Sequence, residues 1–246
     1  MSGRAVVPAL AAAAIVVWLA AGELAPAARL WTTFLLVAFP ALMVLQARLV
    51  GRPSEVIRLP LYLASAIALW VLALLTLAIA LRSGFTAVEL GLVPGRPGEQ
   101  LIWAGVVIIA AEAVMLAGYR LGMREAPLVT LLLPRTARER LAFVGLSLTA
   151  GITEELVFRG FLITVLTIAS GSLTLALILS ALTFGIVHAY QEPAGAARAT
   201  VLGLLLSAPF VATGSLLGAM IAHAAIDVLG GFWLGPRLLR DGTAAR

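Results

Sequence analysis

Polar positions in this chain are gathered into short stretches, and the apolar runs between them are long. Eight runs stand out: Val6–Ala21, Leu30–Leu49, Leu59–Leu81, Gln100–Ala117, Leu141–Ala169, Ser172–Tyr190, Thr200–Val211 and Ser215–Leu234. A membrane helix takes about 20 mostly apolar residues, and nothing left over is long enough for a soluble domain. The pattern predicts an all-α polytopic transmembrane bundle of about eight helices, forming a single membrane domain over 1–246. Within it, the first four helices occupy 1–122, an interfacial or cytoplasmic linker 123–140, and a core 141–234. Val6–Ala21 follows Arg4 and precedes small residues, as a signal peptide would, but the apolar segments downstream favour a first membrane helix. The seventh run is the weakest, being short and interrupted near its end by Pro209. The fifth is longer than a bilayer requires, which predicts a tilt, a start outside the hydrocarbon core, or a break or bend at Gly151.

Two connections carry their own signals. Arg82–Glu99 holds Gly and Pro turn residues and is expected outside. Tyr119–Arg140 is basic with an apolar middle, Leu128–Leu133, closed by Pro134. It reads either as a segment lying along the cytoplasmic interface or as a plain connector.

Composition sharpens this picture. Hydrophobic residues make up 62% of the 246 positions and charged residues 12%, where soluble domains carry about 25% charge. A soluble enzyme, a disordered chain and a nucleic-acid binder acting through a basic surface are excluded. There is no Cys, so disulfides, thiolate nucleophiles and zinc–thiolate sites are excluded as well. All 17 basic residues are Arg, a usage that together with abundant Ala fits a bacterial chain. Eight helices with both termini cytoplasmic leave only Arg29, Arg82 and Arg96 on the far side and Arg159 within a helix. Every other arginine then falls on the cytoplasmic side, as the positive-inside rule requires. The expected location is the bacterial cytoplasmic membrane.

The chemistry lies in what remains at membrane depth: Glu112, Glu154, Glu155, Arg159, His188, His223 and Asp227. Ionisable groups there are costly, and their default reading is functional. Glu154 and Glu155 are adjacent and point about 100° apart on a helix. Glu155 and Arg159 are four apart and can pair, which leaves Glu154 as the free carboxylate and the better general base. His223 and Asp227 share a face, so Asp227 can orient the imidazole or help to hold an oxyanion or a metal. His188 closes the sixth run, with Phe184 one turn before it as a wall. A Glu and two His can activate water and steady an oxyanion, or they can bind zinc. Both routes lead to amide or ester hydrolysis. An ion or proton pathway and a structural polar network are the competing readings. Glu112, alone on the fourth run, reads more simply as a helix–helix contact.

At these residues the sequence resembles the CAAX prenyl protease and bacteriocin-processing group of intramembrane proteases, also called the ABI or CPBP family. E-E-x-x-x-R matches Glu154, Glu155 and Arg159 in AGITEELVFRGFL. F-x-x-x-H matches Phe184 and His188, and H-x-x-x-N/D matches His223 and Asp227. The resemblance spans Leu132 to about Leu234. It implies an intramembrane endopeptidase in which Glu154, assisted by His188, activates the attacking water. His223 and Asp227 stabilise or position the substrate carbonyl, while Glu155, Arg159 and Phe184 support the site. It leaves the cofactor open between none and a divalent metal such as zinc; a metal would fall to Glu154, His188, His223 and Asp227. Asp227 stands where the prenyl-processing branch has Asn. The implied partners are membrane lipid and a membrane-anchored peptide or protein substrate, with no nucleic acid. A non-catalytic scaffold or bacteriocin-immunity protein, and a transporter or channel, are the alternatives.

Overall fold

A computed structural model describes residues 24–50, 55–123 and 125–234. The predicted first helix, Val6–Ala21, lies outside the described residues. Eight helices follow: α1 (Pro26–Val50), α2 (Arg58–Arg82), α3 (Pro97–Arg120), the short α4 (Pro127–Leu132), α5 (Ala137–Ser170), α6 (Leu173–Val187), α7 (Glu192–Thr213) and α8 (Leu217–Trp233). Among the described residues there is no strand. Five of the helices are long and apolar enough to cross a membrane: α1, α2, α3, α5, and α7 together with the turn before it.

The helix ends follow the local sequence. Pro26 and Pro97 sit in the first turns of α1 and α3, where the missing N–H costs nothing. A capping box between Thr136 and Glu139 opens α5. Gly171 and Gly214 close α5 and α7 in the left-handed conformation, which glycine adopts without a Cβ clash. In α1 a π turn, Phe34–Ala38, lies just ahead of Pro40. There the ladder must open because proline brings no N–H and crowds the preceding turn.

α7 corrects the seventh run. It is continuous over 22 residues, from Glu192 to Thr213. Its first turns, EPAGAARA, are too polar to register as an apolar run, but Ala is the best helix former. Pro209 lies inside the helix and does not end it. Proline is tolerated in such helices where neighbours take up the freed backbone group.

α5 is the axis of the bundle, packed against α2, α6 and α8. Its 34 residues span about 51 Å at the helical rise, against a hydrocarbon core of roughly 30 Å. It does not break at Gly151. The irregularity comes later, as a π segment over Glu155–Ile163, all nine residues of which are buried. Gly151 serves packing: a Cβ there would lie 2.8 Å from the Met220 carbonyl oxygen and 3.1 Å from the Ala224 nitrogen. The two helices touch backbone to backbone one turn before the acidic pair.

The 83–96 connection does more than turn the chain. Phe85 and Leu90 are buried. The Leu216 N–H donates to the Gly91 carbonyl at 2.9 Å, and the Ser215 hydroxyl to that of Val93 at 2.5 Å. The segment therefore plugs this end of the bundle. At the opposite end the linker is tied down: Tyr62 donates to the Leu132 carbonyl, and Arg198 pairs with Glu125 at 2.7 Å.

Candidate active site

The close approach of α5 and α8 sets the motif carboxylates against His223. Glu155 is fully buried and carries two partners on one oxygen. Arg159 Nη1 donates to its Oε1 at 3.0 Å, and His223 Nδ1 donates to the same Oε1 at 2.6 Å. Arg159 Nη2 reaches across to α7 and donates to the Gly203 carbonyl at 3.0 Å. The guanidinium lies over the Phe184 ring, 4.5 Å from its centroid, a desolvated cation–π contact. Phe184 meets His188 at 4.6 Å and the edge of His223 at 6.0 Å, so a single aromatic side chain walls both imidazoles.

With Nδ1 engaged by Glu155, the other ring nitrogen of His223 faces outward. Its Nε2 lies 3.8 Å from Glu154 Oε2 and 3.9 Å from Asp227 Oδ2. These separations exceed a hydrogen bond but lie within reach of an ion pair. Exposure rises along the cluster from Glu155 at 0%, through His223 at 7% and Glu154 at 14%, to Asp227 at 38%. The site is therefore a cleft with Arg159 and Glu155 at its floor and Asp227 at its lip. Glu154 Oε2 is itself buried and bonded to no protein group.

His188 ends α6, and its Nδ1 donates to the Phe184 carbonyl at 2.7 Å. A carbonyl only accepts, so Nδ1 carries the proton. In the neutral ring Nε2 is then an acceptor, which suits a base. Of the carboxylates near His223, Glu155 on α5 is the closest at 2.6 Å, and Asp227, four residues on along α8, lies at 3.9 Å. Glu112 stands apart on α3, with both carboxylate oxygens buried and without a hydrogen-bond partner among the described residues. Among the described residues no three His, Asp or Glu side chains are gathered so as to hold a metal ion.

Two features escape a reading by motif. One is the Gly203 carbonyl, a backbone group that no sequence pattern marks. The other is the 3₁₀ turn Ala189–Gln191 between α6 and α7, with the Tyr190 ring 5.9 Å from that of His188. The turn ends at Glu192, with φ 61° and ψ 173°. Among the described residues Glu192 is the one non-glycine residue with positive φ. This is a region essentially reserved for glycine, and it costs about 1–3 kcal/mol.

A membrane-type helical bundle with a buried acid–imidazole–guanidinium cluster opening at one end defines a class, the intramembrane hydrolases. Residues 136–229, the part of the chain that builds the site, match the family model of type II CAAX prenyl endopeptidase Rce1-like proteins. No curated protein and no solved structure matches the chain.

Proposed function

We propose that this protein is an endopeptidase of the cytoplasmic membrane, with both termini cytoplasmic, that cuts a membrane-associated peptide or protein at the open end of its cleft. Glu154 and His188 hold the attacking water. Glu154 takes its proton as the oxygen bonds to the scissile carbonyl carbon. His223 acts as an imidazolium: its Nδ1–H is fixed by Glu155, and its Nε2–H donates towards the carbonyl oxygen as negative charge gathers there. When the C–N bond breaks, Glu154 returns the proton to the leaving amine. Arg159 and Glu155 hold the imidazole by charge-assisted bonds in a site closed to water on its inner side, where such orientation is worth most. Asp227, at the lip, meets the substrate first.

The observation that carries this reading is the placement of Glu154 Oε2, buried, unbonded and 3.8 Å from His223 Nε2. The test is cleavage of a panel of membrane-anchored peptides by purified protein reconstituted in lipid. Glu154→Gln and His188→Ala are each expected to lower the rate at least about 100-fold while the protein remains folded by thermal melting. Wild-type activity in both variants would refute this assignment of the catalytic residues, and a wild type that cleaves no member of the panel would favour a scaffold role.

A further inference from the structure

Resting on the endopeptidase reading, we propose that the Tyr190 hydroxyl is a further catalytic residue of this site, donating a hydrogen bond to the scissile carbonyl oxygen as it becomes an oxyanion. Besides His223, the motif residues supply no second donor to this oxygen. Asp227 stands at the lip as a carboxylate, which when ionised only accepts and would repel developing negative charge. An uncharged O–H is the group that can stand beside a carboxylate and still donate to an oxyanion.

Tyr190 stands beside the motif histidine at the end of α6. Its ring packs 5.9 Å from that of His188, the imidazole that the proposed mechanism sets on the attacking water. The ring is 37% exposed, so a substrate entering past Asp227 can touch it. Its oxygen already accepts a hydrogen bond from Gln191 Nε2 at 3.2 Å. This arrangement anchors the phenol through a lone pair and leaves its proton to be donated elsewhere. A separate observation concerns the backbone. The Tyr190 turn is held by the Gln191 N–H donating to the His188 carbonyl at 2.9 Å, and it is packed by α1 and α4. Next to it Glu192 is kept in a backbone conformation that suits glycine. Strain of this kind persists where the surroundings impose it, and it gathers at functional sites. Here it fixes the direction in which the chain carries Tyr190.

The test uses the full chain in lipid with a membrane-anchored peptide that the wild type cleaves, and compares Tyr190→Phe, Asp227→Asn and the double variant. Tyr190→Phe keeps the ring and removes only the O–H. It is expected to lower kcat roughly 100-fold, as loss of one oxyanion donor does, with KM changed less than about threefold and the melting temperature retained. Asn at position 227 brings an N–H donor back to the lip, so the double variant is expected to recover at least about tenfold in kcat over Tyr190→Phe alone, within the range one such donor supplies. A Tyr190→Phe enzyme with wild-type kcat, or one altered only in KM, overturns the assignment while leaving the endopeptidase reading standing. A wild type that cleaves no member of the peptide panel overturns both.

Discussion

Glu155 decides more than its neighbour Glu154 at the level of single residues, because its one oxygen binds both Arg159 and His223. A buried ion pair of this kind is weak evidence for stability, since desolvation offsets most of the attraction, but breaking it leaves an uncompensated charge. Arg159→Ala strands Glu155, which is 0% exposed, and is expected to destabilise the fold by about 3–5 kcal/mol. Arg159→Lys restores only part of this, because an ammonium cannot reach Glu155 and the Gly203 carbonyl in the same planar fork. The informative variant is the double Glu155→Leu/Arg159→Met, which removes both charges. Its stability is expected to lie closer to wild type than that of Arg159→Ala, while activity stays lost because His223 no longer has its carboxylate. Denaturant unfolding in detergent alongside a cleavage assay separates the two. An active double variant would show that Glu155 does not act through His223.

Helices bring these residues together through contacts that the sequence marks unevenly. The motif spacings were legible because i and i+4 share a helical face, and the Glu155–Arg159 pair follows from that alone. The Glu155–His223 bond was not, since it joins two helices and depends on how closely they approach. Gly151 governs that approach, yet from sequence it reads as a place to bend, because a glycine in a long helix gives no sign of what lies opposite. The seventh run was read short for a related reason. Its opening turns gain their stability from Ala propensity and from contact with α6, not from hydropathy. A matched pair of variants tests the role of Gly151. A Cβ at Gly145 meets nothing within 4 Å, whereas one at Gly151 lies 2.8 Å from backbone. Gly145→Ala is expected to be neutral or to stabilise by about 0.5–1 kcal/mol. Gly151→Ala is expected to push α5 from α8, destabilise by about 1–3 kcal/mol and reduce cleavage, since both carboxylates move with α5. Equal behaviour of the two variants would refute the close-contact account.

For the molecule as a whole, function depends on which side of the membrane the cleft opens. α5 begins, α6 ends and α8 ends at the same end of the bundle as the linker bearing Arg135, Arg138 and Arg140, while the plug over 83–96 closes the other. In the orientation proposed from the arginine distribution, the first end lies in the cytoplasm. On that proposal a substrate presents its scissile bond from the cytoplasmic side, and the plug faces away from it. The chain lends itself to a direct test because it has no cysteine of its own. Arg96 and Arg138 are both exposed, one beside the plug and one on the first turn of α5, so a single cysteine at either reports on one side. In intact bacterial cells a membrane-impermeant maleimide is expected to label Arg96→Cys and to spare Arg138→Cys, which becomes reactive only after the membrane is permeabilised. The reverse pattern would turn the bundle over. The cleft would then open outward, and cleavage from the cytoplasmic face would be ruled out even if every residue of the site kept its role.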